Sequence, residues 1–182
     1  MAEGERWLTS DEQASWRAFM LARQRLEGAL EAQLQRDAGM PHAYYVTLVA
    51  LSEADHEAMR MSDLARVLHY SPSRLTHAVA SMERSGWVRR QPCPTDRRGQ
   101  VAVLTAEGRR ALEGAAPGHV AEVRRLVFDR LSPEQAAQLR VICRTVLEGL
   151  RGPAGAPTNA PAGSPGELAH GQADGADGRH EE

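Results

Sequence analysis

The chain has 182 residues, a net charge of −2, 42% hydrophobic residues and 25% charged residues. That length suits one ordinary domain or a domain with an appendage, and the composition excludes a wholly disordered, collagen-like or fibrous chain. No apolar run approaches the ~18 residues of a membrane span, and the acidic start from Met1 to Arg6 is unlike a secretory signal. A cytoplasmic protein without a membrane partner is expected. Cys93 and Cys143 are too sparse for a disulfide framework or a zinc site, which fits a reducing compartment. Every basic residue is arginine, a chain-wide bias that says nothing about any one site. The charge is unevenly placed: residues 1–59 carry −5, residues 60–110 carry +6, residues 111–150 are neutral and residues 151–182 carry −3. One basic segment in a nearly neutral chain is a local electrostatic footprint.

In chain order, Thr9 with Glu12 has capping-box spacing and opens a helix with Trp16, Phe19, Leu26, Leu30 and Leu34 at helical spacing. Gly39 and Pro41 end it and start a second helix bearing Tyr44, Tyr45, Leu48 and Leu51. A charged loop, Ser52 to Arg60, leads to two short helices. Ser62 is the expected cap of the first. Ser71 and Pro72 supply N-cap and N1 proline for the second, which Gly86 stops. Residues 87–91 and 100–104 read as two strands around a turn rich in Pro, Asp and Gly. Thr105 caps a helix expected to reach Arg130, with Pro117-Gly118 kinking or interrupting it. Ser132-Pro133-Glu134-Gln135 starts the last helix, which ends near Leu150. From Gly152 onward the chain is rich in Pro, Gly and Ala and too poor in large apolar residues to offset its ordering entropy, so a disordered tail is expected over 151–182.

The helix after Ser71 is split into two faces. Leu75, Ala78, Val79 and Met82 form a core stripe. Ser73, His77, Ala80 and Arg84 lie opposite, flanked by Arg74 and Thr76. A helix entering the major groove needs that division, with short donors and acceptors outward, although an ordinary surface helix shows it too. The hairpin supplies the second signal. Arg89 and Arg90 lie on its incoming strand, and Asp96, Arg97, Arg98 and Gly99 lie at its tip. Arginines on such a tip suit the narrow, electronegative minor groove. Asp96 and Arg98 share a face of an extended segment, so the carboxylate can brace the guanidinium.

These segments resemble the MarR-type winged-helix regulators over roughly residues 10–150. The resemblance is carried by Met61-Ser-Asp-Leu-Ala-Arg-Val-Leu68, Ser71-Pro-Ser-Arg-Leu-Thr76, Met82-Glu-Arg-Ser-Gly-Trp-Val-Arg-Arg90, Asp96-Arg-Arg-Gly99 and Leu104-Thr-Ala-Glu-Gly108. It implies a mainly α fold with a small β-hairpin wing. The order is helix, helix, a short optional strand, two helices of a winged helix-turn-helix, two strands and two helices. It also implies an interlocked homodimer, a pseudo-palindromic, inverted-repeat DNA operator, and repression relieved by a small ligand. Residues 7–40 and 105–150 would be dimerisation helices, and 41–104 the DNA-binding lobe. Ser71, Ser73, Arg74, Thr76, His77, Arg84, Arg89, Arg90 and Arg97 become DNA-binding candidates, with Arg98 as the minor-groove arginine and Asp96 as its brace. The tail after Leu150 is no part of the family pattern. The peroxide-sensing branch uses a cysteine near the first helices, and none precedes Cys93.

Apolar residues of the last helices, such as Leu126, Phe128, Leu139, Ile142 and Leu147, suit an interlocked seam or an intrachain core. Trp16, Arg17, Phe19, Tyr44, Tyr45 and Leu48 are candidates for a cleft holding a planar or aromatic acid, or for plain core. Cys93, among wing arginines that favour a reactive thiol, is a candidate redox residue or an incidental turn residue. The histidines lack ligand spacing, so no metal and no cofactor is expected. No phosphate loop, nucleophile elbow or acid/base constellation supports an enzyme. The sign of regulation is open: an activator or anti-repressor is an alternative on the same fold. A protein-interaction module without DNA binding is a further alternative, against which the arginine-bearing wing argues.

Overall fold

The computed structural model describes residues 6–94 and 96–150, with backbone alone at 97 and 98. The tail expected over 151–182 lies outside the described residues. The elements are α1 (Ser10–Ala38), α2 (His42–Ser52), β1 (Ala58–Arg60), α3 (Met61–Val67), α4 (Pro72–Arg84), β2 (Val88–Cys93), β3 (Asp96–Leu104), α5 (Ala106–Leu126) and α6 (Pro133–Leu150), with short 3-10 turns at Asp55–Glu57 and Phe128–Arg130. The strands form one antiparallel sheet in the order β1-β3-β2. This is the mainly helical winged fold expected from the sequence, its optional strand included.

The caps explain most boundaries. Thr9 and Glu12 form the full capping box of α1, and Gly39 closes the helix in the left-handed region at φ 59°. Ser71 Oγ accepts from the Arg74 N–H, and Pro72 takes the first helical position of α4. Ser132 and Gln135 bond reciprocally at the start of α6. Two expectations are corrected. α3 begins at Met61 behind Arg60, so Ser62 lies inside the helix and does not cap it. α5 runs through Pro117 without interruption and ends at Leu126, where Val127 leaves helical geometry at φ −120° and ψ −69°. Proline forfeits one hydrogen bond there, and the flanking turns keep the helix continuous.

One core joins these pieces. Leu34 of α1, Leu48 and Leu51 of α2, Leu64 of α3, Leu75, Val79 and Met82 of α4, Ala102 and Leu104 of β3 and Leu112 of α5 are buried together. The stripe expected on α4 is thus the face that packs inward. The chain divides into two compact units between Gln138 and Leu139. In the second unit the helical stretch to Leu150 leaves Val141, Ile142, Val146, Leu147 and Leu150 exposed.

The start of α5 is pinned to the turn that follows α4. Thr105 Oγ1 lies 2.6 Å from the Gly86 carbonyl and 3.0 Å from the Trp87 carbonyl, and it accepts the Gly108 N–H at 3.0 Å. Gly108 packs so closely that an added Cβ would lie 2.0 Å from the Trp87 carbonyl oxygen. That neighbour is backbone and cannot swing aside. Gly108→Ala is therefore expected to destabilise the fold by about 1–3 kcal/mol, read as a shift in the urea midpoint, whereas Gly114→Ala, with open space around it, should not.

Histidines from two elements meet beside this core. The His42 and His119 rings stack with centroids 5.6 Å apart, and Tyr45 lies 4.3 Å from His119. Burial lowers the pKa of His42 against an opposing pull from Glu31 and Glu27. Burial, then the charge of His42, lowers that of His119. Both rings bind protons less readily folded than unfolded. Their contribution to stability is complete above the ordinary value of 6.5 and is lost as the pH falls through the lowered folded values. Thermal melts between pH 7.5 and 5 should show His119→Gln losing less stability on acidification than the wild type.

Candidate nucleic-acid interface

The polar face of α4 points away from the core. Ser73, Arg74, Thr76, His77 and Arg84 are exposed on it. Ser73 Oγ lies 3.3 Å from the capping Ser71 Oγ, and Thr76 Oγ1 donates to the Pro72 carbonyl at 2.8 Å. Arg74 stacks over the Tyr70 ring at 4.1 Å, which restricts a long side chain before any partner arrives. The face therefore presents hydroxyls, an imidazole and guanidinium groups from a rigid helix.

β2 and β3 form the wing beside it. Their register pairs Val88 with Leu104 and Gln91 with Val101, then shifts after Pro92 so that Cys93 faces Asp96. Arg89 and Arg90 are exposed on β2. Arg89 Nη1 donates to Gln91 Oε1 at 2.7 Å. Arg90 is held twice by Glu83 at the end of α4: its backbone N–H donates at 2.7 Å, and its Nε donates at 2.8 Å. The Arg90 side-chain hydrogen bond, with its charge, keeps the Glu83 carboxyl below the ordinary carboxylate range. This clamp joins the recognition-type helix to the wing. Asp96 and Arg98 both lie in β3, but the side chains of Arg97 and Arg98, and hence the expected brace from Asp96, lie outside the described residues. Asp96 Oδ2 and Cys93 Cβ each lie 3.0 Å from where a Cβ on Gly99 would sit, so a side chain there would make both neighbours give way by a few tenths of an ångström.

Glu83 and Tyr70 are absent from the expected set of site residues. Glu83 belongs to the motif before Gly86, but its partner is seven residues away across a turn that spacing rules do not span. Tyr70 precedes a cap and carries no helical signal.

The six residues expected to line an effector cleft are not gathered by this chain. Trp16 and Phe19 are 54% and 51% exposed on the first half of α1, with rings 6.1 Å apart. Arg17 beside them bonds Gln13 at 3.5 Å. Tyr45 and Leu48 are buried core residues, and Tyr44 packs against that core. α1 buries residues only in its second half, at Leu30, Gln33 and Leu34, so its early aromatics are turns away from α2. What does open there is a crevice of about 820 Å³ between α1, α2 and α4, walled by Arg23, Glu27, Glu31, His42, Tyr70 and Arg74. Cys93 is 7% exposed, with Gly99 packed against its Cβ. That burial leaves the thiol less accessible than a redox role favours. Among the described residues no group of three or more His, Cys, Asp or Glu could hold a metal ion, and no helix is long and apolar enough to cross a membrane.

The family model of the MarR family matches residues 38–99, from the end of α1 through the wing. Sco3205 of Streptomyces coelicolor, a MarR family transcriptional regulator solved in complex with DNA, is 53% identical over 84% of this chain and 94% of its own, with a TM-score of 0.80. The chain belongs to the MarR family. AbsC, a MarR family transcriptional regulator from the same organism, is 43% identical over 82% of this chain and all of its own, with a TM-score of 0.77. The uncharacterized HTH-type transcriptional regulator YfiV of Bacillus subtilis is 30% identical over 80% of this chain and 84% of its own. The HTH-type regulator PrsX of Escherichia coli is 29% identical over 70 residues, and there the match spans only 42% of that protein. All four relatives are named as transcriptional regulators, in agreement with the reading of a protein that is not an enzyme.

The clamp makes a direct claim about this MarR chain. Glu83→Ala leaves the Arg90 N–H and guanidinium without these acceptors. It is expected to cost about 1–2 kcal/mol and to speed hydrogen exchange at the Arg90 amide, while amides at the centre of α1 stay as protected as before.

Proposed function

We propose that the protein is a dimeric, sequence-specific DNA-binding repressor whose operator affinity is set by a small effector. The observation that carries this is the polar outer face of α4 standing clamped beside an arginine-bearing wing, in a chain 53% identical to a regulator solved with DNA. Ser71, Ser73, Arg74, Thr76, His77 and Arg84 would face the major groove. Arg89, Arg90, Arg97 and Arg98 would meet phosphates and the minor groove, with Asp96 bracing Arg98. Residues 41–104 would form the DNA-binding lobe, and 7–40 with 105–150 the dimerisation helices.

Dimerisation is supported by apolar surface. Trp16 and Phe19 on α1, and Val141, Ile142, Val146, Leu147 and Leu150 on α6, are each half or more exposed. So much exposed apolar surface marks an association face, and a second copy of the chain is the occupant that a two-fold operator requires. The effector would occupy the crevice near His42, Tyr70 and Arg74. A ligand there shifts the balance only by binding the DNA-incompetent arrangement more tightly.

Selection of bound fragments from random and genomic DNA tests the reading. An inverted repeat with half-site centres about ten base pairs apart is expected, lost with Arg98→Ala. Affinity should fall steeply with salt, each neutralised phosphate adding about −0.9 to the slope of log K against log salt. A slope near zero, or no enriched sequence, would favour a protein-interaction module.

A further inference from the structure

A pair of histidines beside the weakest turn of α5 belongs to neither the outer face of α4 nor the wing. His119 follows Pro117 and Gly118 inside the helix. Pro117 has no N–H to give, so the Glu113 carbonyl loses its helical donor, and Gly118 adds no side chain to stiffen the turn. The half-buried His119 ring stacks on His42 of α2, with centroids 5.6 Å apart and planes at 30°, and Tyr45 of α2 lies 4.3 Å from it. α1 closes the seam. Gln33 is 2% exposed and lies against Gly118, where a Cβ would sit 3.1 Å from Gln33 Nε2.

The seam is short of polar partners. Among the described residues neither Gln33 Oε1 nor His119 Nδ1 has a hydrogen-bond partner, although both atoms are buried. The charged groups around the rings are already committed. Asp37 of α1 accepts from Gln33 Nε2 at 3.0 Å and pairs with Arg36 at 3.1 Å. Glu31 accepts the His42 N–H at 2.9 Å, and Glu27 pairs with Arg23 at 2.7 Å. Glu122, three residues beyond His119, pairs with Arg125 at 2.6 Å. A proton taken up by either ring therefore places a charge against a second imidazole. Burial, and at His119 the charge of His42, already disfavours that proton, while Glu31 and Glu27 oppose the effect at His42. The rings accept it more readily once the Pro117-Gly118 turn bends and His119 reaches water.

We propose that the His42–His119 seam is an acid-sensitive hinge: proton uptake there parts α5 from α2 at the Pro117-Gly118 turn and lowers affinity for DNA. The proposal rests on the DNA-binding reading above. α5 carries Thr105, Gly108 and Arg109, which hold the root of the wing and the approach to β1. Its departure from α2 releases the arrangement that presents α4 and the wing together. Linkage gives the direction. The closed seam binds protons less readily than the open one, so it is favoured at neutral pH and loses ground as the pH falls. A proton on the exposed His77 of α4 acts the other way, because it adds positive charge to the face that would meet DNA.

Affinity for the selected operator is measured for the full-length wild type, His119→Gln, His42→Gln and His77→Gln between pH 7.5 and 5.5 at constant ionic strength, with circular dichroism confirming folded protein at each pH. The wild type should lose about five- to tenfold in affinity over that range. The loss should be absent in His119→Gln, reduced in His42→Gln, and kept or deepened in His77→Gln. In the free wild type the His42 and His119 ring resonances should titrate below the ordinary 6.5. Operator DNA, binding the closed seam, should push both midpoints lower still, since coupling between proton and DNA is reciprocal. An affinity that does not fall with acid in a wild type that binds DNA at pH 7.5, or a fall that His119→Gln keeps in full, overturns the hinge and leaves the DNA-binding reading intact. Ring midpoints that operator DNA leaves in place overturn it as well, and that measurement needs no variant to fold. A wild type that binds no DNA at either pH overturns both readings together.

Discussion

The docking of Thr105 and Gly108 onto the Gly86-Trp87 turn is the constraint on which the rest of the molecule depends. At that point the end of α4, the start of β2, the end of β3 and the start of α5 all meet. Gly86 turns the chain in the left-handed region at φ 73°, the Thr105 hydroxyl reaches the Gly86 and Trp87 carbonyls, and Gly108 lets the helix backbone approach with no side chain between. The aim of the recognition-type helix relative to α5 is set by hydrogen bonds and contact distance at one place. A residue with a larger side chain at 108 would push α5 away and loosen everything α4 is aimed by.

A second layer of control is electrostatic. Glu83 ties the wing to α4 through the Arg90 backbone and side chain. Arg109 pairs with Glu57, which lies in the stretch before β1 where His56 and Glu57 both sit at φ 55°. Non-glycine residues in that region carry strain that surrounding contacts must offset, and the Arg109 pair is such a contact. α5 therefore reaches both sides of the sheet: Thr105 and Gly108 hold the β2 side, and Arg109 holds the approach to β1. A motion of α5 would be felt at the wing and at the approach to β1 together.

Much of this was legible in the sequence, for identifiable reasons. Capping boxes at Thr9 and Ser132, the Ser71-Pro72 start and the Gly86 stop are local signals, and local signals survive folding. The α4 stripe of Leu75, Ala78, Val79 and Met82 was readable because a helix buried on one face repeats every three to four residues. What escaped was decided across distance. Ser62 looked like a cap, yet α3 starts earlier because β1 pairs with β3 and delivers the chain at Arg60. The cleft residues Trp16, Arg17, Phe19, Tyr44, Tyr45 and Leu48 are not gathered within one chain, because residue type cannot tell which half of a 29-residue helix meets the core. Glu83 and Tyr70 acquire their roles only when Arg90 and Arg74 are brought to them, and the burial of Cys93 is something no neighbouring charge reveals.

In the proposed complex α4 and the wing engage adjacent grooves of DNA, twice, about a two-fold axis. Hydroxyl-radical footprinting of the full-length protein on its selected fragment tests it most directly. Two equivalent protected half-sites about ten base pairs apart are expected, each with a minor-groove segment flanking its major-groove contact, and the flanks should reopen in Arg98→Ala. A single unsymmetrical footprint, or protection that Arg98→Ala leaves unaltered, would contradict it.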